Sequence, residues 1–175
     1  AARGQPDQLD AAHNQLKYHL KQGRVLRLAR GVYAAVPWNQ PVAHYQPDPI
    51  AVAAALRPDG IFSHHAALQL LGAAHSLWNL CTLFCAHPLP ARTVGTQRIQ
   101  FLVHPTPLRR AGDILLGTRR TERQGRSVLY TGPERTLLEG FRQPRWVGGF
   151  EELLESASGF GVLDLDLLHA LLTAY

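Results

Sequence analysis

Residues 16–37, LKYHLKQGRVLRLARGVYAAVP, contain the features from which a fold can be argued. They continue an amphipathic pattern in which Leu9, Ala12, Leu16 and Leu20 recur at helical spacing, and Gly23 stands where a helix commonly ends. The runs RVLRL and GVYAAV follow, and the tripeptide Ala29-Arg30-Gly31 that joins them supplies a glycine for a turn. The sequence therefore predicts a helix followed directly by a short hairpin.

The same stretch is strongly basic, and it holds both lysines of the chain. Residues three and four apart share a helix face, so the polar side chains are expected opposite the apolar stripe. Lys, Arg, Asn and His side chains can reach bases or phosphates, and arginines on the hairpin would flank the helix as a wing. A solvated helix with an ordinary basic face is the alternative. The candidate DNA-binding residues are His13, Asn14, Lys17, Lys21, Arg24, Arg27 and Arg30.

Charge is distributed unevenly along this chain of 175 residues, whose formal net charge is +5. Residues 1–36 carry six Lys or Arg against two Asp, and residues 88–130 carry eight Arg against two acids. Residues 136–175 carry two Arg against six acids. Two basic regions favour a polyanionic partner such as nucleic acid or an anionic membrane.

A second basic cluster lies in LRRAGDILLGTRRTERQGR. Arginine suits bidentate contacts with phosphate or carboxylate, so this cluster would extend a DNA footprint or bind an acidic protein surface. Pairing with the C-terminal acids Glu151, Glu152 and Glu155 is the alternative, and the sequence leaves it open. The arginines concerned are Arg109, Arg110, Arg119, Arg120, Arg123 and Arg126.

The rest of the chain predicts a mixture of helices and strands. PVAHYQPDP contains three prolines and is typical of a linker. Strands are expected at LWNLCTLFCA, RIQFLVH, DILLG and SVLYTG. Two acidic amphipathic helices at the C-terminal end carry leucines that form either a core face or a partner surface. Caps are expected at Asp48, Ser63, Gly72 and Asp164, and a capping box at Thr131 with Glu134.

Patterns for catalysis, metal binding or membrane insertion are missing from the sequence. His64 and His65 point about 100° apart on a helix and lack a third ligand, and Cys81 and Cys85 have no zinc spacing. No phosphate-binding loop, nucleophile elbow or dinucleotide fingerprint is found. No apolar run approaches the roughly 20 residues of a membrane span. We therefore predict a soluble cytoplasmic protein with reduced buried thiols that is not an enzyme and uses no cofactor or metal.

Three ordered stretches resemble the AbiEi family, the antitoxins of abortive-infection type IV toxin–antitoxin systems. Residues 16–37 are similar to the family's winged-helix segment, with its Arg-Gly-Val-Tyr. DPIAVAAALRPDGIFSHHAALQLLG is similar to its Asp-Pro and Ser-His-x-Ala-Leu helices. LYTGPERTLLEGFRQPRWVGGFEELLES resembles its Glu-Arg-Thr-Leu helix followed by Gly-Gly-x-Glu-Glu, with Gly132 and Glu139 as departures. The likeness covers most of residues 16–156.

The resemblance implies an α+β protein with a winged helix-turn-helix DNA-binding unit in residues 1–41 and an α+β antitoxin-type domain in residues 42–175. The short segment ahead of the first helix leaves open whether the winged unit is complete. The resemblance also implies a transcriptional autorepressor that binds inverted repeats of its own promoter as a homodimer and counters a nucleotidyltransferase-like toxin. An interaction module that neutralises its toxin without binding DNA is the alternative.

Overall fold

The computed structural model describes residues 6–175, and the chain divides into two compact units, Ala1–Pro47 and Asp48–Tyr175. The division falls after Pro47, whereas the sequence predicts a junction after residue 41. The segment between contains a 3-10 turn, Val42–His44, that packs against the end of the first helix, because a Cβ on Gly23 would lie 2.6 Å from Val42 Cγ2. The turn therefore belongs to the first unit.

The first unit contains one described helix and a hairpin, in the order that the sequence predicts. Helix α1 spans Pro6–Lys21, and the antiparallel strands β1, Val25–Ala29, and β2, Val32–Ala35, follow it. Within residues 6–47 a single α-helix precedes the hairpin, so the helix pair of a helix-turn-helix is not seen in this part of the chain. No side chain from Leu9 to Gln46 is buried, so residues 9–46 enclose no core of their own.

The second unit is a mixed α+β structure built on a six-stranded sheet of order β5-β6-β4-β3-β8-β7. Strand β3 is parallel to β8 and β4 is parallel to β6, while the other neighbours are antiparallel. The strands are β3 Ile61–Ser63, β4 Leu80–Cys85, β5 Arg92–Val94, β6 Gln97–Val103, β7 Thr118–Arg123 and β8 Arg126–Thr131. The helices are α2 Pro49–Leu56, α3 His64–Leu71, α4 Thr106–Ala111, α5 Pro133–Arg142, α6 Phe150–Ser158 and α7 Leu165–Ala174.

The core of this unit lies where α3 and α5 cover the central strands. Strands β3 and β4 are buried along almost their whole length, which fits their continuous apolar composition. One fully buried cluster contains Leu68 of α3, Leu153 of α6 and Val147, which precedes α6. Cys81 and Cys85 are buried free thiols, as predicted. No helix in residues 6–175 is long and apolar enough to cross a membrane.

Several predicted helix caps are confirmed. A cap can be predicted from the sequence because it depends only on residues that are close together in the chain. The Asp48 carboxylate accepts a hydrogen bond from the Ile50 amide at 3.0 Å, and Asp164 accepts from the Leu167 amide at 3.0 Å. Gly72 ends α3 in the left-handed conformation that glycine favours. The predicted capping box is wrong. Thr131 is the last residue of β8, and Gly132 holds the N-cap position of α5.

The segment between β6 and β8 differs most from its prediction. The composition of DILLG predicts a strand, but residues 113–117 form turns. Helix α4 and the edge strands β5 and β7 are not predicted, since α4 is short and Arg-rich β7 lacks apolar alternation. Ser63 occupies the N-cap of α3 as expected, but its side chain bonds the His64 ring instead of a backbone amide.

Arg135 has the largest fully buried side chain of the second unit and explains the turns. Its Nε donates to Glu139 Oε1 at 2.8 Å. Its Nη1 donates to the carbonyls of Ile114 and Leu116, each at 2.8 Å. These bonds hold the two carbonyls toward the guanidinium, which fits the turn conformation of residues 113–117.

Replacing Arg135 with Met should lower the free energy of unfolding by about 3–5 kcal/mol, because Glu139 would stay buried without its charged partner. Arg110→Met is the matched control. Arg110 is exposed, so its replacement should change stability by no more than about 0.5 kcal/mol. Urea unfolding followed by circular dichroism measures both variants. Equal stability of the two variants would contradict the role given to the guanidinium.

Candidate nucleic-acid interface

The candidate residues of α1 are all exposed and lie on one side of the helix. At about 100° per residue, His13, Asn14, Lys17 and Lys21 fall within an arc of about 100°. From His13 to Lys21 they extend over about 12 Å of helix. Asp10 is also exposed and points in nearly the same direction as Lys17, two turns earlier. The face is therefore basic at its C-terminal half.

The apolar stripe of α1 is only partly covered. Leu16 and Leu20 are half-buried, whereas Ala12 is exposed and Leu9 is 64% exposed. The stripe is therefore partly covered in the two turns nearest the hairpin and solvated in the earlier ones. The polar candidates occupy the better-solvated side of those two turns.

The hairpin presents its arginines at three different places. Arg24 lies between α1 and β1, Arg27 is on β1 opposite Tyr33, and Arg30 is in the turn before Gly31, whose φ is +76°. All three arginines are exposed. Arg27 and Tyr33 are paired across the strands, so their side chains share one face of the hairpin. A guanidinium beside an aromatic ring suits contact with a nucleic acid backbone and its sugars.

Five cations of this unit have no partner within the described residues: no hydrogen bond or ion pair engages the side chains of Lys17, Lys21, Arg24, Arg27 and Arg30. Exposed like charges that form no ion pair produce a positive potential that attracts a polyanion. Binding would also release counterions from that polyanion.

The junction between α1 and the hairpin fixes where these arginines lie. The Gly23 amide donates to the Leu20 carbonyl at 3.2 Å, and the Arg24 amide donates to the His19 carbonyl at 3.0 Å. This pair of bonds is a Schellman motif, which requires the left-handed φ of +66° found at Gly23. The Arg24 carbonyl then accepts from the Val36 amide at 2.9 Å. The chain thus passes from helix to hairpin without a free linker.

The second basic cluster is not one surface. Arg119 and Arg123 approach carboxylates, with Arg123 Nε 2.6 Å from Asp48 Oδ2 and Arg119 Nη2 4.0 Å from Glu134 Oε2. Arg120 bonds Ser127 at 3.4 Å from the other face of β7. The proposed pairing with Glu151, Glu152 and Glu155 is wrong for the described residues, since no ion pair there joins them to this cluster. Arg109 lines one cavity, Arg120 and Arg126 line a second, and Arg123 lines a third.

His64 and His65 are buried and point to different neighbours, as predicted for adjacent helix residues. His64 Nδ1 lies 2.9 Å from Ser63 Oγ, whereas His65 Nε2 lies 3.1 Å from the Ser76 carbonyl. Across the residues that the structure describes, no three His, Cys, Asp or Glu side chains are placed to hold a metal ion.

Sequence reasoning missed a group of polar residues around a cavity of the second unit, among them His104, Glu139, Arg142 and Tyr175. On α5, Arg135 and Glu139 have the i, i+4 spacing of an ordinary surface ion pair. Only the tertiary structure shows that both are buried. No pattern in the sequence distinguishes the two cases.

Comparison with known proteins identifies no relative: no protein-family model matches the sequence, and no curated protein matches it.

Replacing Gly23 with Ala should weaken duplex DNA binding by about tenfold, because the left-handed φ is strained for alanine and the new Cβ would meet Val42 at 2.6 Å. Gly31→Ala is the matched control, since it has the same type of φ but open space around its Cβ. Fluorescence anisotropy with labelled duplex measures both. An affinity for the Gly23 variant equal to that of the Gly31 variant would show that the junction does not position the arginines.

Proposed function

We propose that this chain binds duplex DNA through α1 and the β1–β2 hairpin. The observation that carries the proposal is the set of five unpaired, exposed cations on one small unit, which includes both lysines of the chain. His13 and Asn14 contact base edges, and Lys17 and Lys21 contact phosphates or bases. Arg24, Arg27 and Arg30 contact the backbone on either side. In this arrangement α1 is the recognition helix of a winged helix-turn-helix unit and the hairpin is its wing.

The biological role that fits this interface is that of an AbiEi-type autorepressor and antitoxin. The support is the resemblance of three ordered segments to that family, together with the α+β second unit that follows the basic one in the sequence. The protein would bind inverted repeats in its own promoter, one protomer at each half-site, because a symmetric pair of protomers matches the symmetry of such repeats. The second unit would counter a nucleotidyltransferase-like toxin in the cytoplasm.

A protein-interaction antitoxin that does not bind DNA is the second candidate, and the C-terminal helices favour it. Leu153 and Leu171 are fully buried there, but Leu154, Leu165 and Leu172 are more than half exposed. The acids Glu151, Glu155 and Asp166 are exposed on the same two helices. Apolar side chains surrounded by acids suit a partner with a basic rim.

Replacing Lys17 and Lys21 together with Ala should weaken binding to promoter DNA and reduce the slope of log affinity against log salt by roughly 0.9 for each phosphate that is no longer neutralised. Anisotropy over a series of salt concentrations measures both quantities. The matched control is Arg92→Ala with Arg145→Ala, which removes two exposed cations from the second unit. An unchanged slope for the lysine variant would remove these residues from the interface and favour the interaction module.

A further inference from the structure

Strand β7 is an outer edge of the six-stranded sheet. It pairs with β8 on one side and, within the described residues, with no strand on the other. It contains six residues, whereas β5 at the opposite edge contains three. An unpaired edge presents backbone N–H and C=O groups that can pair with another strand, and very short edge strands are poor templates for it. The longer free edge of this sheet is therefore that of β7.

The turn between β7 and β8 shows which backbone groups of β7 bond to β8. Gln124 and Gly125 form a two-residue turn with φ values of +49° and +72°, and Arg123 and Arg126 are the pair that closes it. The closing pair of such a turn is hydrogen-bonded, and bonded and non-bonded pairs alternate along an antiparallel ladder. The bonds from β7 to β8 therefore come from Arg123 and from every second residue before it.

The other three residues of β7 direct their backbone groups away from β8. They are Thr118, Arg120 and Glu122. The Thr118 amide donates to the Leu115 carbonyl at 3.1 Å, outside the ladder, which agrees with this direction. No backbone hydrogen bond from the described residues engages Arg120 or Glu122 on the outer side. These two residues thus provide the free donors and acceptors of the edge.

Arg120 and Glu122 also carry opposite charges. Both side chains are exposed, and residues two apart on a strand share one face of the sheet. No ion pair in the described residues engages either of them. Arg120 donates to Ser127 Oγ at 3.4 Å, which leaves most of its five N–H donors available. Charges of one sign protect an edge from pairing with itself, but a pair of opposite signs complements a second copy of the same strand.

Backbone direction and charge together select one register for two antiparallel copies of β7. With a two-fold axis at Thr121, Arg120 of each copy faces Glu122 of the other, and each of these pairs exchanges both backbone hydrogen bonds. Moving the axis to Arg120 places two Arg120 side chains opposite each other, and moving it to Glu122 places two Glu122 side chains opposite each other. Like charges in direct opposition are destabilising.

The other face of β7 is compatible with this register. Thr121 faces itself across the axis, and threonine pairs are favourable across strands. Arg119 faces Arg123 of the second copy, but both arginines approach a carboxylate of their own chain. Arg123 Nε lies 2.6 Å from Asp48 Oδ2, and Arg119 Nη2 lies 4.0 Å from Glu134 Oε2. Each chain therefore offsets the like charges that the register brings together.

We propose that two copies of this chain associate by antiparallel pairing of their β7 strands about a two-fold axis at Thr121. The contact uses the same surface of both copies, so it closes at a dimer. One strand pair is at the small end of protein interfaces, and we expect a Kd of roughly 10–100 µM. The contact lies within Asp48–Tyr175 and does not depend on DNA binding by the first unit.

Sedimentation equilibrium of the full chain without DNA, at concentrations from about 5 to about 500 µM, tests the proposal. The unmodified chain should follow a monomer–dimer equilibrium. Arg120→Glu places two carboxylates opposite each other in both pairs and should weaken the dimer at least about tenfold. Glu122→Arg should do the same with two guanidinium groups. Arg92→Glu is the matched control, because it makes the same change of charge on β5 and should leave the Kd unchanged.

The two single variants are complementary to each other. In an equimolar mixture of Arg120→Glu and Glu122→Arg chains, every Glu at the contact faces an Arg of the other chain. The mixture should therefore dimerise with a Kd within about threefold of that of the unmodified chain. This recovery requires both variants to be folded, so it separates a lost contact from a lost structure.

Hydrogen exchange of the unmodified chain provides an independent measurement of the register. The amides of Arg120 and Glu122 should exchange more slowly as the concentration rises through the Kd, whereas the amide of Thr121 is protected by β8 at every concentration. A protected group elsewhere, with no change at Arg120 and Glu122, would contradict the assignment.

Four sedimentation results would overturn the proposed dimer. They are a monomer at every concentration of the unmodified chain, a dimer that both single variants leave intact, an equal loss for Arg92→Glu and Arg120→Glu, and a mixture of the two single variants that stays monomeric. Since DNA is absent from all these measurements, their failure would leave the proposed DNA binding untouched.

Discussion

The buried guanidinium of Arg135 is the interaction on which the second unit depends. A charge in the protein interior is stable only when partners replace its water, and here they come from Glu139 and from two carbonyls of residues 113–117. Those residues connect α4 to the edge strand β7, so one side chain fixes α5, α4 and the sheet edge together. The guanidinium also lies 5.8 Å from the centre of the Phe84 ring on β4. Burial, together with this positive charge, keeps the pKa of His64 and His104 low.

The two units differ in the environment of their basic residues. In the second unit the central arginine is buried and bonded, and Arg123 is paired with the carboxylate that also caps α2, although other arginines such as Arg110 are exposed. In the first unit Lys17, Lys21, Arg24, Arg27 and Arg30 are exposed and unpaired, and no side chain from Leu9 to Gln46 is buried. A surface whose charges are free of internal partners breaks no internal ion pair when it binds an anion. This difference is the physical basis for assigning DNA contact to α1 and the hairpin.

Local signals in the sequence predict a good part of this fold. The caps at Asp48 and Asp164, the left-handed glycines at positions 23 and 72, and the order of helix and hairpin depend on neighbours within a few residues. The prediction for residues 113–117 is wrong because their conformation depends on Arg135, some 20 residues away in sequence. The candidate interface residues can be named from helix periodicity, the hairpin pattern and charge. The cavity residues cannot, since five segments from His64 to Tyr175 meet only in the folded unit.

The most direct test of DNA recognition is the affinity of the unmodified protein for its own promoter duplex and for a scrambled duplex of equal length, measured across a salt series. Recognition by α1 and the hairpin predicts tighter binding to the promoter and a steep decrease in affinity with salt. Equal affinity for both duplexes, or no binding at low salt, would contradict it.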